Sequence, residues 1–435
     1  MSLYNEKLAT EGYVDNNLTE LRNITQIEAT AEGETIAVSD SSDSQLRGLK
    51  VMGKTTQADT PTIENPQPLE SIGDDGSVDV NVYGKNLTKL ILKKYEYKGN
   101  TATVVSESAL VLNGTATVEH SISMSTDMVL YAGTYTMSVY GLNKYSTAYD
   151  RVFLVGKDSE GNTVIPVNYV VSGSAKTFTL AETTSISRVN VVIKEGSTYN
   201  NTTVNIQIER GNIATEYEPF KPIQTLTSST PNGLPGVPVS SDGNYTDASG
   251  QQWVCDEIDF NRGVYVQRVN EYVVTGNENW VVSTYQNSTD GRIRFDSSFA
   301  GLAAKATGDR CLCTHWVFNG ISPRDVESVW VASNGLRILT NCFSTVDELK
   351  IALKAQYNSG TPVTFKYPIV TPIETPLSAE EIAAYKALRT HYPNTSIHNS
   401  ENAHMAVDYV ADTKNYVDNQ IKKEVAELTA AILTQ

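Results

Sequence analysis

Residues 132–142 read AGTYTMSVYGL. Tyr135, Met137 and Val139 fall on one side of an extended chain, and Thr134, Thr136 and Ser138 on the other. A period of two marks a strand with a buried face. The pattern continues on both sides. Phe153, Val155, Val164 and Val167 flank Asp158-Ser159-Glu160-Gly161-Asn162, which predicts a hairpin. Asn113-Gly114, between ALVL and TATV, predicts a second hairpin of type I′. No apolar period of helix length interrupts 80–221, so this stretch reads as a β-sandwich.

Outward from it, residues 31–79 carry short strands broken by turns, with three prolines between Thr60 and Pro68. They are expected to form an extended β linker. Residues 1–30 read as a helical attachment segment, with Leu8, Tyr13, Leu18 and Leu21 on a loose stripe. The stretch KPIQTLTSSTPNG at 221–233 reads as a linker. Residues 234–375 are expected as a second β-rich domain holding Trp253, Trp280, Trp316 and Trp330. One helix interrupts it, announced by the capping box Thr345-x-x-Glu348. Residues 376–411 read as a helix, opened by Ser378-x-x-Glu381, and then a polar extended connector in which His391, His398 and His404 are expected in solvent.

The last segment, 412–435, reads as an oligomerisation helix. Val417, Ile421, Val425, Leu428 and Ile432 make one narrow apolar stripe on a charged helix. A lone stripe needs a partner, and the same helix in other copies supplies one, as a short trimeric bundle. Thr10-Glu-Gly-Tyr13-Val-Asp-Asn-Asn-Leu18 also echoes Thr413-Lys-Asn-Tyr416-Val-Asp-Asn-Gln-Ile421, so similar pieces flank the chain. The fold class expected is mainly β and multi-domain, with helical ends.

Composition bounds the function. Of 435 residues, 40% are apolar and 19% charged, which fits neither a disordered chain nor a membrane protein. The net charge is −16, and no basic run exceeds Lys93–Lys94 or Lys422–Lys423, which argues against nucleic acid as a partner. With 23 Tyr against 9 Phe, and abundant Thr, Ser and Asn, the surface is that of an exposed β protein. Cys255, Cys311, Cys313 and Cys342 crowd into one third of the chain and are expected reduced and mostly buried.

Little of the sequence carries chemistry. Asp256, Glu257 and Asp259 are acidic neighbours, but Asp256 and Glu257 would face opposite sides of a strand and cannot form a hydrolase pair. Cys311-x-Cys313-x-His315 has the alternation of a core strand and lacks the spacing of a zinc site. Asp242-x-Asn244-x-x-Asp247 reads as a turn held by its own side chains. No catalytic residue, metal ligand or cofactor is expected. The best ligand surface is aromatic: Tyr140, Tyr145 and Tyr149, with Asp150 and Arg151 beside them, in the loop GLNKYSTAYD.

Four longer stretches carry a resemblance. They are GLKVMGKTTQADTPTIENPQPLESIGDDGSVDVNVYGKNL (48–87), AGTYTMSVYGL with NIQIERGNIATEYEPF (132–142 and 205–220), NGLPGVPVSSDGNYTDASGQQWVCDEIDFNRGVYVQRV (232–269), and TPIETPLSAEEIAAYKALRTHYPNTSIHN with VDYVADTKNYVDNQI (371–399 and 407–421). Together they resemble tail-associated minor structural and fibre proteins of phages and prophages of Gram-positive bacteria. The second resembles the strands of jelly-roll carbohydrate-binding modules. The resemblance implies a virion protein of the tail fibre, tail tip or baseplate, released by lysis, as MSLYNEKLATEGYVDNN lacks the features of a secretory signal. Its implied partners are its own copies, other virion proteins of tail or capsid, and host surface polysaccharide, without membrane insertion. A head fibre or capsid decoration protein is the structural alternative, and a cell-wall or capsule hydrolase the enzymatic one.

Overall fold

Alternating strands stay soluble only if each apolar face is covered, and the fold is the solution to that requirement. The computed structural model describes residues 26–28, 35–39, 45–143, 150–167, 169–247, 249–283, 291–297, 311–317, 327–332, 335–391, 394–399, 401 and 403–408. The chain is mainly β, and among the described residues every strand pair is antiparallel. Among the described residues no helix is long and apolar enough to cross a membrane. The apolar stripe Val417, Ile421, Val425, Leu428 and Ile432 lies outside the described residues, as does the echoed segment at 10–18.

Residues 87–220 form one sandwich. Its first sheet runs in the order His120–Leu130, Thr184–Ile193, Arg151–Lys157, Thr163–Val164. Its second runs Ser174–Leu180, Gly133–Tyr140, Thr198–Arg210, Ala109–Thr115, Asn100–Ser106, Lys94–Tyr97. Tyr135, Met137 and Val139 point into the shared core against Met124, Leu154, Val189 and Ile206. The hairpin at 158–162 is present, closed by Asp158 N to Asn162 O at 3.2 Å. The one predicted at Asn113-Gly114 is not. Those residues continue the strand Ala109–Thr115, opposite Thr101 and Asn100, and the turn lies earlier, between Ser106 and Ala109. Only glycine fits at 114, which has φ +98° and where a Cβ would sit 2.2 Å from Gly99 O.

A second sandwich is assembled from distant pieces. Its larger sheet orders Gln26–Glu28, His404–Asp408, Arg47–Met52, Glu257–Asp259, Val264–Val273, Thr364–Pro376 and Leu312–Cys313. Its smaller sheet orders Gln224–Ser229, Ser77–Gly84, Asn394–Asn399 and Thr35–Ser39. Leu49, Val51, Val78, Val80, Val82, Leu226, Ile258, Ile397, Met405 and Val407 share one buried core.

This changes the expected domain map. Residues 31–79 are no extended linker: they supply strands to both sheets. The linker at 221–233 contains an edge strand with buried Leu226. The connector after the helix Ala379–Ala387 supplies two interior strands, so His398 and His404 are buried, stacked on Tyr131 and Tyr245 at 3.8 and 3.9 Å. Residues 26–28 of the attachment segment are a strand. In each case the strands paired beside these segments in the two sheets come from more than a hundred residues away, which local patterning does not reveal.

Residues 280–340 make a smaller sheet of their own, ordered Trp280–Val282, Ile293–Ser297, Gly335–Thr340, Ser328–Ala332. The helix Val346–Asn358 closes it with Leu349 and Leu353. Thr345 caps that helix, and Ser378 with Glu381 forms a reciprocal capping box on Ala379–Ala387. The strand Thr364–Pro376 joins units: Phe365 and Tyr367 enter the smaller core while Ile373–Pro376 pair with Val264–Gln267 in the composite sheet.

Asn86 stitches the first sandwich at its root. It donates to Ile206 O and Glu218 O at 3.0 and 2.8 Å and accepts from Thr88 N and Ile208 N. Gly53 and Gly236 mark the tightest passage in the composite body, where two backbones touch. A Cβ on Gly53 would lie 2.0 Å from Leu234 O, and one on Gly236 2.5 Å from Gly53 O. Gly53→Ala is therefore expected to cost about 2–4 kcal/mol. Urea denaturation of the variant against the parent checks this, and an unchanged midpoint would contradict the close packing.

Candidate functional site

The loop singled out from sequence does not converge on a ligand surface. Tyr145 and Tyr149 lie outside the described residues. Tyr140 ends its strand half-buried, edge-on to Tyr217 at 6.3 Å. Arg151 starts a strand of the opposite sheet, bonded to Glu119 at 3.2 Å, with its guanidinium 4.5 Å from the Tyr169 ring centre. Asp150 is fully buried. It accepts from Lys194 N at 2.6 Å, from Ser197 Oγ at 3.0 Å and from the Tyr199 hydroxyl. A carboxylate so occupied ties two chain segments together and has nothing to offer a sugar. Sequence displays Asp150 beside Arg151 but not the three donors from 194–199 that claim it.

Asp256 is a second clamp. The strand Val264–Val273 bulges between Gln267 and Val269, and the amides freed there, Arg268 N and Val269 N, both donate to Asp256 Oδ1 at 2.6 and 2.7 Å. Tyr265 Oη donates to Oδ2 at 2.5 Å. Burial pushes this carboxyl up to about 6, against the pull of those donors. Glu257 pairs instead with Arg268 at 3.1 Å, and Asp259 with Lys50 at 3.2 Å. The acidic triplet therefore splits among structural partners, as its alternation implies.

The remaining motifs are structural too. Cys311 and Cys313 sit in the core with Trp316, and burial raises both thiols. Cys255 is buried, whereas Cys342 is exposed, and none of the four is bridged. Asp247 holds its own turn, accepting from Ser249 N, Gln251 N and Trp253 Nε1 at 3.0 Å each. Among the described residues no His, Cys, Asp and Glu cluster could hold a metal ion.

Two regions among the described residues are concave enough to consider. The first lies between the sandwiches, about 300 Å3, with Tyr83, Tyr131 and Phe220 in its wall and the Lys89–Asp127 ion pair at 2.8 Å. Its polar groups are largely engaged with one another: Asn81 accepts from Thr225 and Asn86 is fully bonded. Tyr131 already stacks on His398.

The second is a groove along the strands Val264–Val273 and Thr364–Pro376. Its inner lobe, about 300 Å3, is lined by Asn232, Tyr265, Gln267, Asn270, Glu271 and Lys366. Its outer lobe, about 360 Å3, is lined by Pro66, Pro68, Thr314, His315 and Pro362, and shares Glu271. Lys366 is 5% exposed, donates to Ser71 Oγ at 2.5 Å, and stands 3.7 Å from the half-exposed Glu271. His315 is buried, with Nδ1 against Thr314 Oγ1 at 2.7 Å, and burial lowers its pKa so that it stays neutral. No sequence motif announces this groove, because its residues come from six separate stretches between 66 and 366.

The clamp at Asp256 gives a pH signature. Its folded-state pKa, about 6, exceeds the ordinary 3.8, so folding favours the protonated form. The stability this contributes is complete below about pH 4 and is lost as pH rises through about 6, on the order of 2–3 kcal/mol. Asp256→Asn keeps a neutral acceptor for the bulge amides and is expected to flatten the stability profile between pH 4 and 6. Chemical denaturation across that range checks it, and an unaltered slope would count against the assignment. Comparison with protein-family models, curated proteins and solved structures finds no match for this chain.

Proposed function

We propose that the chain is a virion structural protein of the tail fibre, tail tip or baseplate type, which attaches the particle to its host and binds surface glycan. The observation that carries this reading is the pairing of Gln26–Glu28 with His404–Asp408, in the register Gln26 to Asp408. The two ends of the described body are cross-strand neighbours at one edge of one sheet. The segments beyond them, each carrying a copy of the echoed sequence, therefore depart from one place. An edge that gathers both ends suits a stem that collects copies about a symmetry axis. The sandwich at 87–220 branches from the composite body through one entry at Gly84–Leu87 and one exit at Phe220–Gln224, and is read as the jelly-roll module.

Repetition about an axis gives weak sites useful strength, because copies that engage together multiply their effective affinity. The acidic net charge keeps such a crowded assembly soluble. The hydrolase reading loses its acidic triplet to the structural roles of Asp256, Glu257 and Asp259.

The test is solution mass by light scattering. The full chain is expected as a trimer, and a chain ending at Ala411, which retains the strand His404–Asp408, as a monomer. Val425→Asp in the full chain is expected to dissociate the trimer in the same way. A full chain that is monomeric would contradict the reading.

A further inference from the structure

We infer that the two-lobed groove over Val264–Val273 and Thr364–Pro376 binds a neutral, hydroxyl-rich ligand, a saccharide in class. The inference rests on the attachment reading above and gives it a site. Its first support is Lys366. A buried ammonium carries three N–H donors. In the folded chain one is taken by Ser71 Oγ, while Glu271 stands at 3.7 Å, an ion-pair contact beyond hydrogen-bond length. Ser71 in turn bonds Thr55 Oγ1 at 2.9 Å, and Thr55 accepts from Gly236 N, so the Lys366 anchor is itself fixed. Among the described residues these are its two partners, and a polar group entering the cavity would further stabilise the buried charge.

The second support is His315 at the far end. The imidazole is buried with Gln356 beside it, and its Nδ1 holds the Thr314 hydroxyl, which accepts from Thr364 N at 2.9 Å, so the polar wall of the outer lobe is fixed. Between Lys366 and this wall stands the carboxylate of Glu271, common to both lobes. Each lobe is of the size at which small-molecule pockets begin, roughly 300 Å3.

Charge selects the class. Glu271 and Asp256, which also lines the inner lobe, disfavour an anion, and Lys366 disfavours a cation. A neutral ligand with paired donors and acceptors satisfies both. Pro66, Pro68 and Pro362 offer apolar surface to the C–H faces of a sugar ring. An extended peptide would be read through an unpaired strand edge, whereas the two floor strands are paired with each other along their length.

The experiment uses the full-length protein and saturation-transfer NMR. The probes are glucose, galactose, rhamnose and N-acetylglucosamine at millimolar concentration, with glucuronate, glucosamine and a proline-rich peptide as alternatives. At least one neutral sugar is expected to bind, and more tightly than the charged pair. Lys366→Met is expected to weaken that binding about tenfold or more. Glu271→Gln, at a half-exposed position, is expected to weaken it as well, with a cooperative thermal melt showing that the variant is folded. Absence of binding by all four neutral sugars, equal binding in both variants, or binding of the peptide alone would overturn the inference. A chain that is trimeric yet binds no sugar would keep the attachment reading and lose only this site.

Discussion

The closure of the composite sandwich by strands from both ends of the chain is the constraint on which the rest depends. Val78, Val80 and Val82 alternate inward on one strand, flanked in their own sheet by Leu226 and Ile397 and covered from the facing sheet by Leu49, Val51, Met405 and Val407. None of these segments buries its face alone. Once His404–Asp408 lies between Arg47–Met52 and Gln26–Glu28, the ends are fixed side by side, the sandwich at 87–220 becomes an insertion between two strands of the smaller sheet, and the groove floor is held in the larger one. Such pairing is non-local, so loop-closure entropy precedes most of the stabilising contacts and folding is expected to be slow.

Buried polar side chains then set the joints. Asn86 bonds both the entry and the exit of the inserted sandwich, and Lys85 pairs with Glu218 at 2.6 Å beside it. Asp150 fastens 194–199, Glu209 accepts from Thr215 N and Thr215 Oγ1, and Asp256 satisfies the amides that a β-bulge leaves unpaired. Removing such an acceptor strands buried donors, which costs more than the bond itself contributes. The groove differs from these joints in one respect: among the described residues Lys366 Nζ has one hydrogen bond, to Ser71 Oγ, and a longer ion-pair contact with Glu271.

Much of the β architecture was legible. The faces of Thr134–Val139, the hairpin at 158–162 and the two capping boxes depend on residues within a few positions of one another, where periodicity and side-chain chemistry decide. The second side of Gly133–Tyr140 was misjudged in degree: Thr136 and Ser138 are also buried, because Thr136 Oγ1 bonds Gly211 O and the strand is flanked on both sides. What stayed hidden is whatever depends on distant partners. Thr60–Pro68 looks like a linker until Cys313 O and Thr314 O receive Gln57 and Gln67. Asp150 looks like a ligand group until Tyr199 arrives, and Lys366 looks like an ordinary strand lysine until Ser71 and Glu271 define its pocket.

Hydrogen exchange followed by mass spectrometry tests the closure most directly. The account predicts that peptides covering 47–52, 77–84, 257–273 and 394–408 exchange as one cooperative unit, and that 100–210 exchanges as another. Fast exchange in 394–408 while 77–84 stays protected would show that the C-terminal strands are no part of the core, and would contradict the shared sandwich.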